Sequence, residues 1–128
     1  MNSKQVVSTT KAPAAIGPYS QGVKVDDFLF ISGQLPIDPA TGALVQNDIS
    51  IQTRRALDNL KAVVEACDLH MPDIVKVTVY LMDMDDFNSM NEVYKEFFTI
   101  DYPARIAVQV ARLPKNALVE IDAIAVKQ

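Results

Sequence analysis

The sequence predicts an α+β fold: a mixed β-sheet covered on one face by two helices. Three observations predict it. Short apolar and β-branched runs alternate with Pro- and Gly-marked breaks. Two longer segments carry helical periodicity instead. The order is β-β-β-α-β-α-β-β, which suits helices gathered on one side of one sheet rather than a regular βα alternation.

Residues 5–8 are a short β-branched strand. Residues 21–25 and 28–34 flank Asp26-Asp27, the signature of a tight hairpin. Residues 50–67 form the strongest helix: Ile51 opens it, and Leu57, Leu60, Val64 and Cys67 recur along one stripe. Asn47 or Asp48 is placed to cap its free N–H groups. Residues 74–81 read as a buried strand with Val75, Val77, Val79 and Leu81 on one face. Residues 87–98 form the second helix, with Phe87, Met90, Tyr94, Phe97 and Phe98 on its apolar side and Asp85-Asp86 at its positive end. Residues 105–110 and 119–126 are the last strands, joined through a turn at Leu113-Pro114-Lys115-Asn116.

Length and composition set the bounds. At 128 residues the chain is expected to be one domain, residues 1–128, with 49% hydrophobic and 22% charged residues. That composition excludes a mainly disordered chain. The net charge is −4 and there is no basic run, so nucleic acid is not an expected partner. One cysteine, Cys67, excludes an intramolecular disulfide and a Cys-rich zinc site; one histidine, His70, leaves no multi-histidine metal site. Cys67 reads as a small core hydrophobe and His70 as a partner for the carbonyls at the end of the first helix. The acidic run Asp83 to Asp86 lacks EF-hand spacing and reads as a helix cap. A polar start, Met1-Asn2-Ser3-Lys4-Gln5, and the lack of any membrane-length apolar window make the cytoplasm the expected compartment and a membrane partner unexpected.

The strands are apolar on both faces: Phe28 and Phe30 alternate with Leu29 and Ile31, and Ile121 and Ala123 with Ile124 and Val126. Two helices cover one face only. The other would be a large exposed apolar patch, so self-association is expected.

Charged residues in strands are the chemical anomalies. Arg105 heads a strand, shares its face with Ala107, and reads either as an edge ion pair or as a carboxylate clamp. Glu120 is either a solvated strand end or a partly buried carboxylate that activates water. The two are expected on neighbouring strands. Gly33, inside Ile31-Ser32-Gly33-Gln34, marks a bulge or a place where a ligand meets bare backbone. Tyr19 is packing or a pocket wall, and Asn91 a surface amide or a site residue.

Several blocks then agree with one family. Gly17-Pro18-Tyr19-Ser20-Gln21-Gly22, Ile31-Ser32-Gly33-Gln34-Leu35-Pro36, Thr53 to Leu60, Pro103-Ala104-Arg105, Val108 to Pro114 and Val119 to Val126 resemble the RidA (YjgF) family in motif and order across essentially the whole chain. The resemblance implies a chorismate-mutase-like fold and a homotrimer with the sheets inside and three intersubunit clefts. It implies a reactive intermediate deaminase that needs neither cofactor nor metal. The reaction is hydrolysis of 2-imino acids and their enamines (2-iminobutanoate, 2-iminopropanoate and 2-aminoacrylate) to 2-keto acids and ammonia. Carried over by motif, Arg105 binds the substrate carboxylate and Glu120 positions water. Tyr19, Ser32, Gly33, Asn91 and Ala107 complete the substrate contacts. Many relatives carry Cys where this chain carries Ala107, so a thiol mechanism is closed there and only the Ala107 backbone is available. Two other readings stand beside this one: a non-catalytic trimer that senses keto acids with the same cleft, and RNA cleavage, which the acidic charge opposes.

Overall fold

The structure, a computed structural model, describes residues 3–128. Met1 and Asn2, at the polar start of the expected 1–128 domain, lie outside the described residues. The elements are β1 (Gln5–Val7), β2 (Gly22–Val25), β3 (Phe28–Gln34), α1 (Ile49–Glu65), β4 (Ile74–Leu81), α2 (Phe87–Phe97), β5 (Ala104–Gln109) and β6 (Val119–Val126). They agree with the predicted order and types.

The strands form one sheet in the order β1-β2-β3-β6-β4-β5. The β4–β5 pair is parallel and every other pair antiparallel. A parallel pair needs a crossover, and α2 supplies it. The crossover sets β5 at the edge beside β4, while β6 slots between β3 and β4. Arg105 and Glu120 are therefore not on neighbouring strands, as the sequence reading expected: β4 lies between them.

Both helices pack on one face. The core there includes the fully buried Leu29, Leu57, Leu60, Val77, Val79, Leu81, Met90 and Ile121. Burying each such side chain is worth roughly 1.5–3 kcal/mol. α1 presents Thr53, Ala56, Leu57, Leu60, Val63 and Val64 inward. Asp48 is its N-cap, accepting from the Ile51 N–H at 3.0 Å. Ile51 itself is 41% exposed, and the buried stripe begins at Gln52 and Thr53 instead. The helix ends before Cys67, with Asp68 at φ 59°. Cys67 is half-buried against the core. The carbonyls of Ala62 and Val64 accept from Ala66, Cys67 and Leu69. His70 is exposed and its N–H donates to Asp73 Oδ2, so the expected contact with α1 is absent. In β4 a register shift between Ile74 and Lys76 turns Val75 outward and Ile74 inward.

Three buried amides tie loops down. Asn59 donates to the carbonyls of Leu35 and Ile37, both at 2.9 Å, just after the Gly33 segment. Gln52 bonds Val45, Gln46 and the Leu118 N–H. Gln21 holds Thr9, Ala12 and Pro13. Each satisfies backbone groups that burial would otherwise leave orphaned.

The opposite face is bare. Phe28 and Phe30 stack with ring centroids 6.2 Å apart and are 47% and 46% exposed. Ile106 and Val108 are exposed on the same face two strands beyond β6.

Candidate active site

Side chains alternate across a strand, so the pairing register decides which side of the sheet each functional residue occupies. Arg105 pairs with Val77, which is fully buried beneath the helices. Glu120 pairs with Tyr80 on the bare face. Arg105 and Glu120 thus leave the sheet on opposite faces, and each belongs to its own recess.

The Arg105 recess, about 470 Å³, is walled by Asn91, Tyr94, Tyr102 and Pro103. Arg105 is half-buried, and its Nη1 donates to Asn91 Oδ1 at 2.7 Å. The guanidinium carbon sits 4.7 Å from the Tyr94 ring centroid and 5.5 Å from that of Phe87. Asn91 is therefore a contact of Arg105 itself. No carboxylate of the described residues pairs with Arg105. The edge ion pair is thus set aside, and most of the donor fork is free for two oxygens of a ligand. Ala107 follows two residues on, half-buried on the same side. Burial pushes the Tyr94 hydroxyl's pKa up, and the nearby Arg105 charge opposes this without hydrogen-bond geometry.

The Glu120 recess, about 620 Å³, is lined by Tyr19, Ser32, Gly33 and Glu120, with Ile16 and Lys115 at its margin. Tyr19 is 54% exposed, a wall rather than a core residue. Ser32 donates its hydroxyl to the Ser20 carbonyl, which ties the Tyr19 loop to β3. Gly33 lies in the register shift between Ile31 and Gln34, so the bulge reading is correct. It also does more: a Cβ at Gly33 would collide with the Glu120 carboxylate. The carboxylate rests on bare backbone, and any larger residue would displace it. Burial, reinforced by Asp122, raises the Glu120 pKa above the ordinary glutamate range. Asp122 in turn accepts from the Tyr80 hydroxyl at 2.9 Å. A carboxyl group of raised pKa is a better proton acceptor when ionised.

The family model described as endoribonuclease L-PSP matches residues 9–127. The chain belongs to the RidA (YjgF) family. A RutC family protein of Pyrococcus horikoshii is 57% identical over 98% of this chain and 99% of its own length. A 2-iminobutanoate/2-iminopropanoate deaminase of Salmonella typhimurium is 50% identical over 97% of this chain and 98% of its own. The crystal structure of E. coli TdcF with bound serine superposes with a TM-score of 0.93 at 48% identity, covering 97% of this chain and 99% of that one. The RidA fold is thus shared along nearly the full length, and the deaminase reading has relatives of that activity at about half identity.

Sequence reasoning named Arg105 and Glu120 and several of the residues that line their recesses. It placed Tyr94 and Phe87 on the apolar side of α2, which holds, and did not foresee that both rings also face Arg105. The signal was present: positions 87, 91 and 94 share one helical stripe, and an amide between two rings on it marks a polar contact.

Proposed function

We propose that this chain is a hydrolytic imine deaminase of the cytoplasm, converting small 2-imino acids and their enamine tautomers to 2-keto acids and ammonia. Arg105 holds the substrate carboxylate. Ionised Glu120 takes a proton from water as the water oxygen bonds to C2. The imine nitrogen carries a proton taken from solvent, so this addition gives a neutral carbinolamine. Glu120 returns its proton to the amino nitrogen; the C–N bond breaks as the hydroxyl oxygen forms C=O and gives its proton to Glu120, which releases it to solvent, and ammonia leaves the 2-keto acid. An enamine first gains a proton at C3 to become the imine. The proton balance closes with side chains and water alone, so no step is assigned to a metal or cofactor.

The observation that carries this reading is the division of labour between the two recesses: a cation with a free fork and, among the described residues, an unpaired carboxylate of raised pKa. Because they open on opposite faces, the reading requires a second copy, whose Glu120 recess completes the Arg105 recess of the first. The exposed Phe28, Phe30, Ile106 and Val108 support such an association, in a trimer with three clefts. Serine bound to TdcF supports a small ligand with an α-carboxylate.

The same bound serine favours a second reading, a sensor that holds keto acids without turnover. A coupled assay separates the two. Threonine dehydratase supplies 2-iminobutanoate, semicarbazide competes for it, and diversion to 2-ketobutyrate reports hydrolysis. The protein should accelerate ketobutyrate formation, and Arg105→Ala should weaken kcat/KM about 10- to 150-fold, the loss of a charge-assisted contact. No acceleration, with keto-acid binding intact in Glu120→Ala, would leave the sensor.

A further inference from the structure

Arg105 sits on an edge strand at the end of a long, rotamer-rich side chain, and β5 alone does not hold its fork in one orientation. α2 does. Asn91 takes one N–H at 2.7 Å, and the Tyr94 ring lies under the guanidinium at 4.7 Å, nearer than Phe87 at 5.5 Å. Tyr94 is itself fixed: it is 6% exposed, and its ring meets that of Phe98 with centroids 4.5 Å apart.

We propose that Tyr94 is a positioning residue for the deaminase reaction, its ring a cation–π platform that pre-orients Arg105 for the substrate carboxylate. The inference rests on the proposed function and assigns a role to a residue that touches the cation. A guanidinium held over a ring face is confined to one region, which leaves the N–H groups not bonded to Asn91 available to a planar carboxylate. The contact is made before substrate arrives, so ordering of the Arg105 side chain is not charged against binding. A carboxylate is present in both substrate and transition state, so the platform acts on KM and leaves kcat alone.

The experiment uses the full chain in the imine assay and by NMR. Tyr94→Leu keeps an apolar side chain against Phe98 and removes the ring. KM should rise about five- to thirtyfold, with kcat held within about twofold. Tyr94→Phe should restore KM. In an Arg105→Ala background, Tyr94→Leu should add no further loss. In the wild-type protein the Arg105 N–H protons should lie upfield of their random-coil positions through the ring current. A folded Tyr94→Leu with wild-type KM overturns the proposal, as does equal loss in the Arg105→Ala background. If Tyr94→Leu does not fold, unshifted Arg105 N–H resonances in the wild type overturn it alone. Full activity in Arg105→Ala defeats the deaminase reading instead, and the ring-current shift is independent of that result.

Discussion

The two recesses treat their charges in opposite ways. On the helix side, Arg105 is braced by an amide and two aromatic rings. On the bare side, Glu120 has only backbone beneath it and a second acidic residue, Asp122, nearby. A half-buried cation on aromatic faces is at low cost before any ligand arrives. A half-buried carboxylate without a partner is not. On the proposed reading, binding is built from pre-paired groups, and proton transfer from a group left unsatisfied.

The largest effect that tests this contrast is at Glu120. Glu120→Gln keeps shape over Gly33 and removes the base, so turnover should fall about 100- to 10,000-fold in the coupled assay. Stability should move the other way. The folded chain binds the Glu120 proton more tightly than the unfolded chain, so wild-type stability falls as pH rises from the ordinary glutamate range through the raised value. Denaturant melts across that window should show this slope in wild type and a flatter one in Glu120→Gln. The acid limb of kcat/KM, where activity appears as Glu120 ionises, should likewise inflect above the ordinary glutamate range. A steeper melt slope in the variant would break the contrast.

A smaller effect is expected at Gly33. Gly33→Ala puts a methyl where the carboxylate rests, and a displacement of about 1 Å costs up to roughly 100-fold in rate. The clash falls on the end of a flexible side chain, so the melting temperature should hardly change. Loss of folding instead would mean that Gly33 serves the bulge alone. The smallest effect lies outside both recesses. Asp48→Ala removes the α1 N-cap and should lower the melting temperature by about 3–5 °C with kcat/KM unchanged.

Much of this was legible in the sequence. The strands and helices announce themselves by period, because one buried face imposes a repeat of 2 or 3.6. The errors occur where that face is interrupted: Val75 at a register shift, Ile51 before the helix meets the core, His70 past its end. Arg105 and Glu120 stood out as charges within apolar strands. Their relation did not, because sheet order depends on the α2 crossover and on where β6 inserts, and neither leaves a local mark. One intervening strand and three residues of register are enough to send two side chains to opposite faces. Gly33 carried its signal for the same local reason as the period, since a missing side chain in an apolar strand needs an occupant for its place.

β6, the last of these strands in chain order, lies in the interior of the sheet, hydrogen-bonded to β3 on one side and β4 on the other. A nascent chain emerging from the ribosome therefore holds two separate sheet fragments with unpaired edges until residues 119–126 are released. Completion of the sheet waits for those residues, and a chaperone that shields strand edges would act within that interval.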